Sequence, residues 1–204
     1  MTNRTLGDSL ARGLIRRWER EQQGLRARLQ SLNNANPHLS PRQHLNATLR
    51  TLKRLQATNP WILDVADQGK RQHRQVVTLC IELENGRAGV WLWSFRGDGC
   101  HGGQVRLTVS RHALQRLVQA GLRTPKALAW ALGWIAAEAR PEPLVDRVWH
   151  RFLLGNFDLI CLVRGETLVT VLPFDSLDGA NRVAMERATA RIRAQQQQRQ
   201  EVAA

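Results

Sequence analysis

His112 and Arg116 are the residues whose types and spacing best suit chemistry. They stand four positions apart in the run VSRHALQRL, so a helix there projects both from one face while Leu114, Leu117 and Val118 project from the other. A histidine on a polar face can move a proton near neutral pH, and an arginine beside it can neutralise a phosphate, a pairing suited to RNA cleavage. The plain alternative is a solvated histidine, or one that helps cap the helix start. His150 and Arg151 offer a second such pair in a strand pattern. Neighbours on a strand face opposite ways, so only one of them can reach a site shared with His112.

Other chemistry-bearing types are arranged less pointedly. Trp91, Trp93 and Phe95 alternate and so share one sheet face, which is either a core face or a platform for stacking bases. The glycine-rich run from Gly97 to Gly103 lacks the Lys-Ser/Thr ending of a phosphate loop and precedes a strand pattern, so it reads as a mobile hairpin tip bearing His101. Cys100 and His101 are adjacent, whereas a tetrahedral metal site needs four spaced ligands. Cys80 and Cys161 lie in apolar runs and read as core thiols. Neither a metal nor another cofactor is expected.

Charge gives a broader indication. The formal net charge is +13, with 27 Arg and 3 Lys. Residues 1–60 carry eleven basic and three acidic side chains, 61–179 fourteen and twelve, and 180–204 five and two. Positive charge is therefore concentrated towards the ends, as suits a polyanionic partner. Guanidinium groups match phosphate geometry. The expected partner is a nucleic acid, RNA or DNA, and an acidic protein is the alternative. Arg12, Arg16, Arg17, Arg20, Arg26, Arg28, Arg50, Lys53 and Arg54 are the candidate phosphate contacts. The longest apolar stretch, near 127–137, is too short for a bilayer, and the first residues lack the apolar core of a secretory signal, so a cytoplasmic protein without a membrane partner is expected.

Residues 4–32 read as one long helix, with Leu6, Leu10, Leu14, Trp18, Leu25, Leu29 and Leu32 along one stripe. Ser40-Pro41 opens a second helix running to about Ala57, and the two make a basic αα-hairpin over residues 1–60. Its stripe needs cover from the rest of the chain or from a second copy, which would make a homodimer through these helices. An α+β domain follows over 61–176. Strands are predicted at 76–83 and 88–95 around the Asn85-Gly86 turn, then at 104–109, 147–154, 157–164 and 167–172. Between the two groups of strands lie helices near 111–120 and 125–139, the second apolar nearly all round and expected to be buried. Residues 177–204 read as a C-terminal helix over about 178–198 that frays into a disordered Gln-rich tail.

The stretch 109–174, with Val-Ser-Arg-His-Ala-Leu-Gln-Arg on a helix and a last strand Leu168-Val169-Thr170-Val171-Leu172-Pro173, resembles the small RelE/barnase-like ribonuclease toxin superfamily. The resemblance covers about a third of the chain and implies metal-independent attack of an RNA 2′-hydroxyl on the adjacent phosphate. It implies that His112 acts as acid/base, Arg116 binds phosphate and Thr170 donates a hydrogen bond, with His150 or Arg151 assisting. The basic hairpin and the strands before residue 110 are additions to that compact fold. Two functions are therefore expected: a nucleic-acid-binding ribonuclease of toxin or mobile-element type, or a non-catalytic DNA- or RNA-binding accessory factor. An interaction module for an acidic protein is a third.

Overall fold

Apolar spacing changes from a helical to an alternating period after Pro60, and the backbone changes with it. The computed structural model describes residues 3–32, 38–70, 73–97, 99–138, 148–154 and 156–187, with side chains described except at 3–6, 99–102, 148 and 154. Helices α1 (Asn3–Glu21), α2 (Leu25–Ser31) and α3 (Pro41–Thr58) precede strands β1 (Ile62–Gln68), β2 (Gln75–Glu84), β3 (Arg87–Arg96) and β4 (Gly99–Val109). Helices α4 (Arg111–Gln119) and α5 (Pro125–Glu138) lead to β5 (Val148–Leu154), β6 (Phe157–Arg164) and β7 (Thr167–Pro173). A 3-10 turn at Phe174–Ser176 and a helix, α6, over 179–187 follow. The class is α+β, as the grouped strands predict. The Gln-rich tail, the Asn33–Pro37 break and the acidic linker around Asp146 lie outside the described residues.

The strands form one sheet in the order β1-β2-β3-β4-β7-β6-β5. Two antiparallel blocks meet where β4 runs parallel to β7, Thr108 opposite Thr167 and Val109 opposite Leu168. Asn85 and Gly86 turn β2 into β3 with φ of 52° and 72°, the left-handed pair that follows strand twist. Two expectations change. Strand β1 is not evident in the sequence, because Asp64, Asp67 and Gln68 break its apolar alternation. The glycine-rich run is not a loose tip: from Gly99 onward it belongs to β4. Glycine is needed there, since a Cβ on Gly103 would sit 2.9 Å from the Trp93 ring and 3.2 Å from the Trp91 ring.

Helices cover both faces of the β1–β4 block. One face carries Val76, Thr78, Cys80, Trp91, Trp93 and Phe95, matched across β2 and β3. Arg26 of α2 lies over Trp91 at 5.2 Å, and Gly97 at the end of β3 abuts Pro41 of α3, so α2 and α3 cover this face. The other face carries Ile81, Ala88, Val90, Leu107 and Val109, all nearly inaccessible. Helix α5 covers it, with Leu63 of β1 packed against Gly133, and α4 continues the layer onto β7. Trp18, Leu25, Leu29, Leu45 and Leu52 from the N-terminal helices join the same core as the strands, so cover comes from the chain itself.

The first helix is not continuous. Gly24 takes φ 90° and divides α1 from α2. The buried stripe of α1 is Ala11, Ile15 and Trp18, continued by Gln22 just past its end, while Leu10 is 51% exposed, which moves the stripe one position from the leucine series. Gln22 explains the change. Beyond Ile62, β1 no longer pairs with β2, and the edge of β2 is left with unmet backbone groups. Trp61 O accepts from Ile81 N at 2.8 Å. The Gln22 side-chain amide then donates to Ile81 O, and its carbonyl accepts from Leu83 N at 2.6 Å. One buried side chain thus does the work of a neighbouring strand residue.

Glu82, on the α2 side of the sheet, is 12% exposed and 3.9 Å from Arg26. Burial pushes its carboxyl above the ordinary 4.5, against the opposing pull of Arg26. An acid whose folded-state pKa is raised holds its proton more tightly when folded. Its contribution to stability is complete below the unfolded value and is lost as pH rises through the folded one.

Two outcomes are expected. Gln22→Ala strands a buried carbonyl and a buried N–H, each worth about 1–3 kcal/mol, so urea unfolding should register a loss of about 2–6 kcal/mol. Gln22→Glu can still accept from Leu83 but cannot donate to Ile81, and should fall between. For Glu82→Gln, melting temperature relative to the parent should rise as pH goes from about 4 to about 7. A pH-independent difference would contradict a burial cost on Glu82.

Candidate nucleic-acid interface and the surroundings of His112

Ser110 fixes the start of α4. Its hydroxyl accepts from Ala113 N at 3.0 Å and donates to Val169 O at 2.7 Å, which ties the helix to β7. Ala113, Leu114, Leu117 and Val118 are buried, in keeping with the apolar face read from the sequence. His112 lies exposed in the first turn. Arg116 is half-buried and donates to the Gln119 side-chain carbonyl at 3.3 Å, while the Gln119 amide donates to the Asp8 carboxylate. Arg116 therefore belongs to a polar chain that joins α4 to α1.

The sheet divides the remaining candidates. Thr170 pairs with Leu162, Val171 with Cys161 and Leu168 with Val163. Leu168, Val171, Cys161 and Phe152 are buried on the face that α4 covers. His150 pairs with Cys161 and shares that face, with its ring 5.9 Å from Phe152. Alternation turns Thr170 and Arg151 to the opposite face. His112 and Arg116 thus lie on one side of the sheet, Thr170 and Arg151 on the other. Arg151 is also engaged: Nε and Nη2 donate to the two Asp158 carboxylate oxygens at 2.9 and 2.6 Å, and the guanidinium lies 3.5 Å from the centre of the Phe174 ring. Its hydrogen bonds to the Asp158 carboxylate raise the Arg151 pKa above the ordinary arginine value, and its charge is matched locally.

Neither buried thiol offers a nucleophile. Burial pushes Cys80 far up and Cys161 up to about 12, so both stay protonated at neutral pH. The side chains of Cys100 and His101 lie outside the described residues.

The aromatic surface is not the one in β3. Trp93 and Phe95 are buried, and Trp91 is half-buried beneath Arg26, so that strand serves the core. Instead, α5 exposes Trp130 at 49% and Trp134 at 46%, with ring centroids 6.2 Å apart. The helix is not buried all round, because Leu128, Ala131, Leu132 and Ile135 already occupy the face that meets the sheet. Trp130 and Trp134 then follow Lys126 at four-residue steps along the outer side. That spacing was readable in the sequence, but high apolar content concealed it.

The N-terminal cations divide by what they touch. Arg17 pairs with Glu21 at 2.7 Å, and Arg26 faces Glu82. Arg12, Arg16 and Arg20 form an exposed stripe on α1, and Arg28 is exposed on α2. Arg50, Lys53 and Arg54 are exposed on α3. Arg12 and Arg50 donate to backbone carbonyls one turn earlier, Asp8 O and Asn46 O. Among the described residues, none of these seven forms an ion pair with a carboxylate. Arg16 and Arg20 line a shallow depression with Gln23 and Glu19, and the Glu19 carboxylate is turned to accept from Gly86 N at 2.5 Å. Comparison with protein-family models, with curated proteins and with solved structures finds no match to this chain.

Proposed function

We propose that this chain is a nucleic-acid-binding protein that holds phosphates through α1 and α3 and does not cut the strand it holds. The observation that carries this reading is the stripe Arg12, Arg16 and Arg20. These guanidinium groups are exposed, form no ion pair with a carboxylate among the described residues and stand at four-residue steps, roughly 6 Å of helix rise apart. An exposed cation without a protein partner keeps its full attraction for phosphate, and each phosphate it neutralises releases a condensed counterion. Arg50, Lys53 and Arg54 extend the positive surface on α3. The strong preference for Arg over Lys, 27 to 3, suits phosphate better than scattered carboxylates, which favours nucleic acid over an acidic protein.

Binding without cleavage is the better supported reading because of where Thr170 and Arg151 lie. A centre of the RelE/barnase-like kind would need Thr170 beside His112, and the sheet lies between them. Arg116 is drawn towards Gln119, and Arg151 towards Asp158. His112 is exposed, with Thr170 and Arg151 on the far side of the sheet from it.

Retention of labelled duplex DNA should fall steeply with salt, and replacing Arg12, Arg16 and Arg20 by Gln should lower the log–log slope by about 2–3. An unchanged slope would place the contact elsewhere. In a parallel assay with EDTA present, RNA should stay intact on long incubation, and His112→Ala should leave binding as it was. RNA that is degraded by the parent but spared by His112→Ala would establish the ribonuclease reading instead.

A further inference from the structure

The two ends of the sheet are built differently. At the β1 end the strand is bulged between Ile62 and Asp64, carries Asp64 and Asp67, and gives way to Gln22, which occupies the edge groups of β2. Bulges, charges and covering side chains are the usual means of keeping a sheet edge from pairing with another chain. Among the described residues, the β5 end shows no bulge and no charge left unmatched by a neighbouring strand. Its register with β6 runs unbroken from Val148–Val163 to Leu154–Phe157. Its sequence, VWHRFLL, contains no proline or glycine, and its one Arg is neutralised by Asp158 on the neighbouring strand. Trp149 and Leu153 flank that Arg on the same face and are 40% and 56% exposed. Among the described elements, β5 packs mainly against β6.

We propose that β5 is the contact through which two copies of this chain join edge to edge, antiparallel, into one continuous sheet. A strand paired with itself about a two-fold axis is necessarily antiparallel, the mode β5 already uses with β6. Opposite residues in such a pair share a face, so only registers that keep parity are allowed. Centred on Arg151, the pairing sets Trp149 against Leu153 of the second copy, and Leu153 against its Trp149. Both exposed apolar side chains are then covered at once, twice over. Sliding by two residues sets Trp149 against Arg151 and leaves Leu153 without that cover. The two Arg151 groups meet at the axis, each matched by its own Asp158 and stacked on its own Phe174.

Net charge does not forbid the contact. The exposed N-terminal arginines sit on α1 to α3, whose main sheet contacts are with β1 to β3, towards the other end of the strand order from β5. Six inter-strand steps of about 4.8 Å separate β1 from β5, well beyond a screening length of roughly 8–10 Å. A second copy is favoured over a foreign strand because the complementarity lies within β5 itself. This inference does not depend on nucleic-acid binding.

Light-scattering mass should rise with concentration from 23.1 kDa towards twice that value. Trp149→Lys combined with Leu153→Lys changes only exposed positions and should raise the dissociation constant by about 30-fold or more, with the unfolding midpoint retained. In a Cys100→Ser background, Trp149→Cys and Leu153→Cys proteins should form an oxidised cross-link when mixed, and neither should do so alone. A monomer at all concentrations would overturn the proposal. So would a dimer indifferent to the two lysines, cross-linking within either single variant, or a foreign strand on β5 in place of a second copy.

Discussion

Beyond Ile62 the backbone of β2 still presents a carbonyl and two N–H groups at its edge, inside the protein. Buried backbone groups without partners cost more than most side-chain contacts return. Much of the N-terminal region can be understood as the answer to that constraint. Trp61 supplies one carbonyl and Gln22 supplies an amide. Gln22 stands one turn after Trp18, whose ring packs edge-on against Trp61 at 6.0 Å. The aromatic contact thus brings the amide to its place. Once Gln22 is fixed at the edge, the chain must pass from one face of the sheet to the other. Gly24, in a conformation that other residues seldom adopt, makes that passage. The break between α1 and α2 is a consequence of edge satisfaction.

Passing around the edge has an electrostatic result. Helix α1 lies with α4, tied by Asp8 and Gln119, and its Glu19 reaches the β2–β3 turn. Helices α2 and α3 lie across the other face. The acids of α1 are thereby directed to structural duties at Gly86 and Gln119, or pair with Arg17 in the case of Glu21. Arg12, Arg16 and Arg20 are left facing outward. Two carboxylates of the sheet are likewise matched by arginines, Asp67 with Arg74 and Asp158 with Arg151. The positive surface owes as much to how the fold disposes of its acids as to the number of its arginines.

Much of the fold was legible because its signals are local. Asn85-Gly86 and Ser40-Pro41 each act through backbone geometry within a few residues, and each lies where the sequence places it. Strand β1 was not legible, since an edge strand need bury little and tolerates Asp64 and Asp67. The glycine-rich run misleads for a related reason. Its Gly103 admits the Trp91 and Trp93 rings, a long-range requirement that looks like a loop when read locally. The candidate site was the least legible part. His112 and Arg116 share a helix, so their spacing is informative. The side of the sheet on which Thr170 falls depends on a one-residue irregularity in β7, between Leu168 and Thr170, that composition does not reveal.

That irregularity matters because strand period is two. Opposite Val163 and Leu162, adjacent residues of β6, β7 places Leu168 and Thr170, so Val169 is an extra residue. Leu168 and Val171, three apart, can then both be buried against α4, which an unbroken strand would not permit. Ser110 exploits the same spot by donating to Val169 O. The bulge lets one helix fasten to β7 by its cap and by two core residues, and in doing so it turns Thr170 away from that helix. Packing of α4 and assembly of a His112–Thr170 centre therefore make opposite demands on one strand, and the buried side chains settle which demand is met.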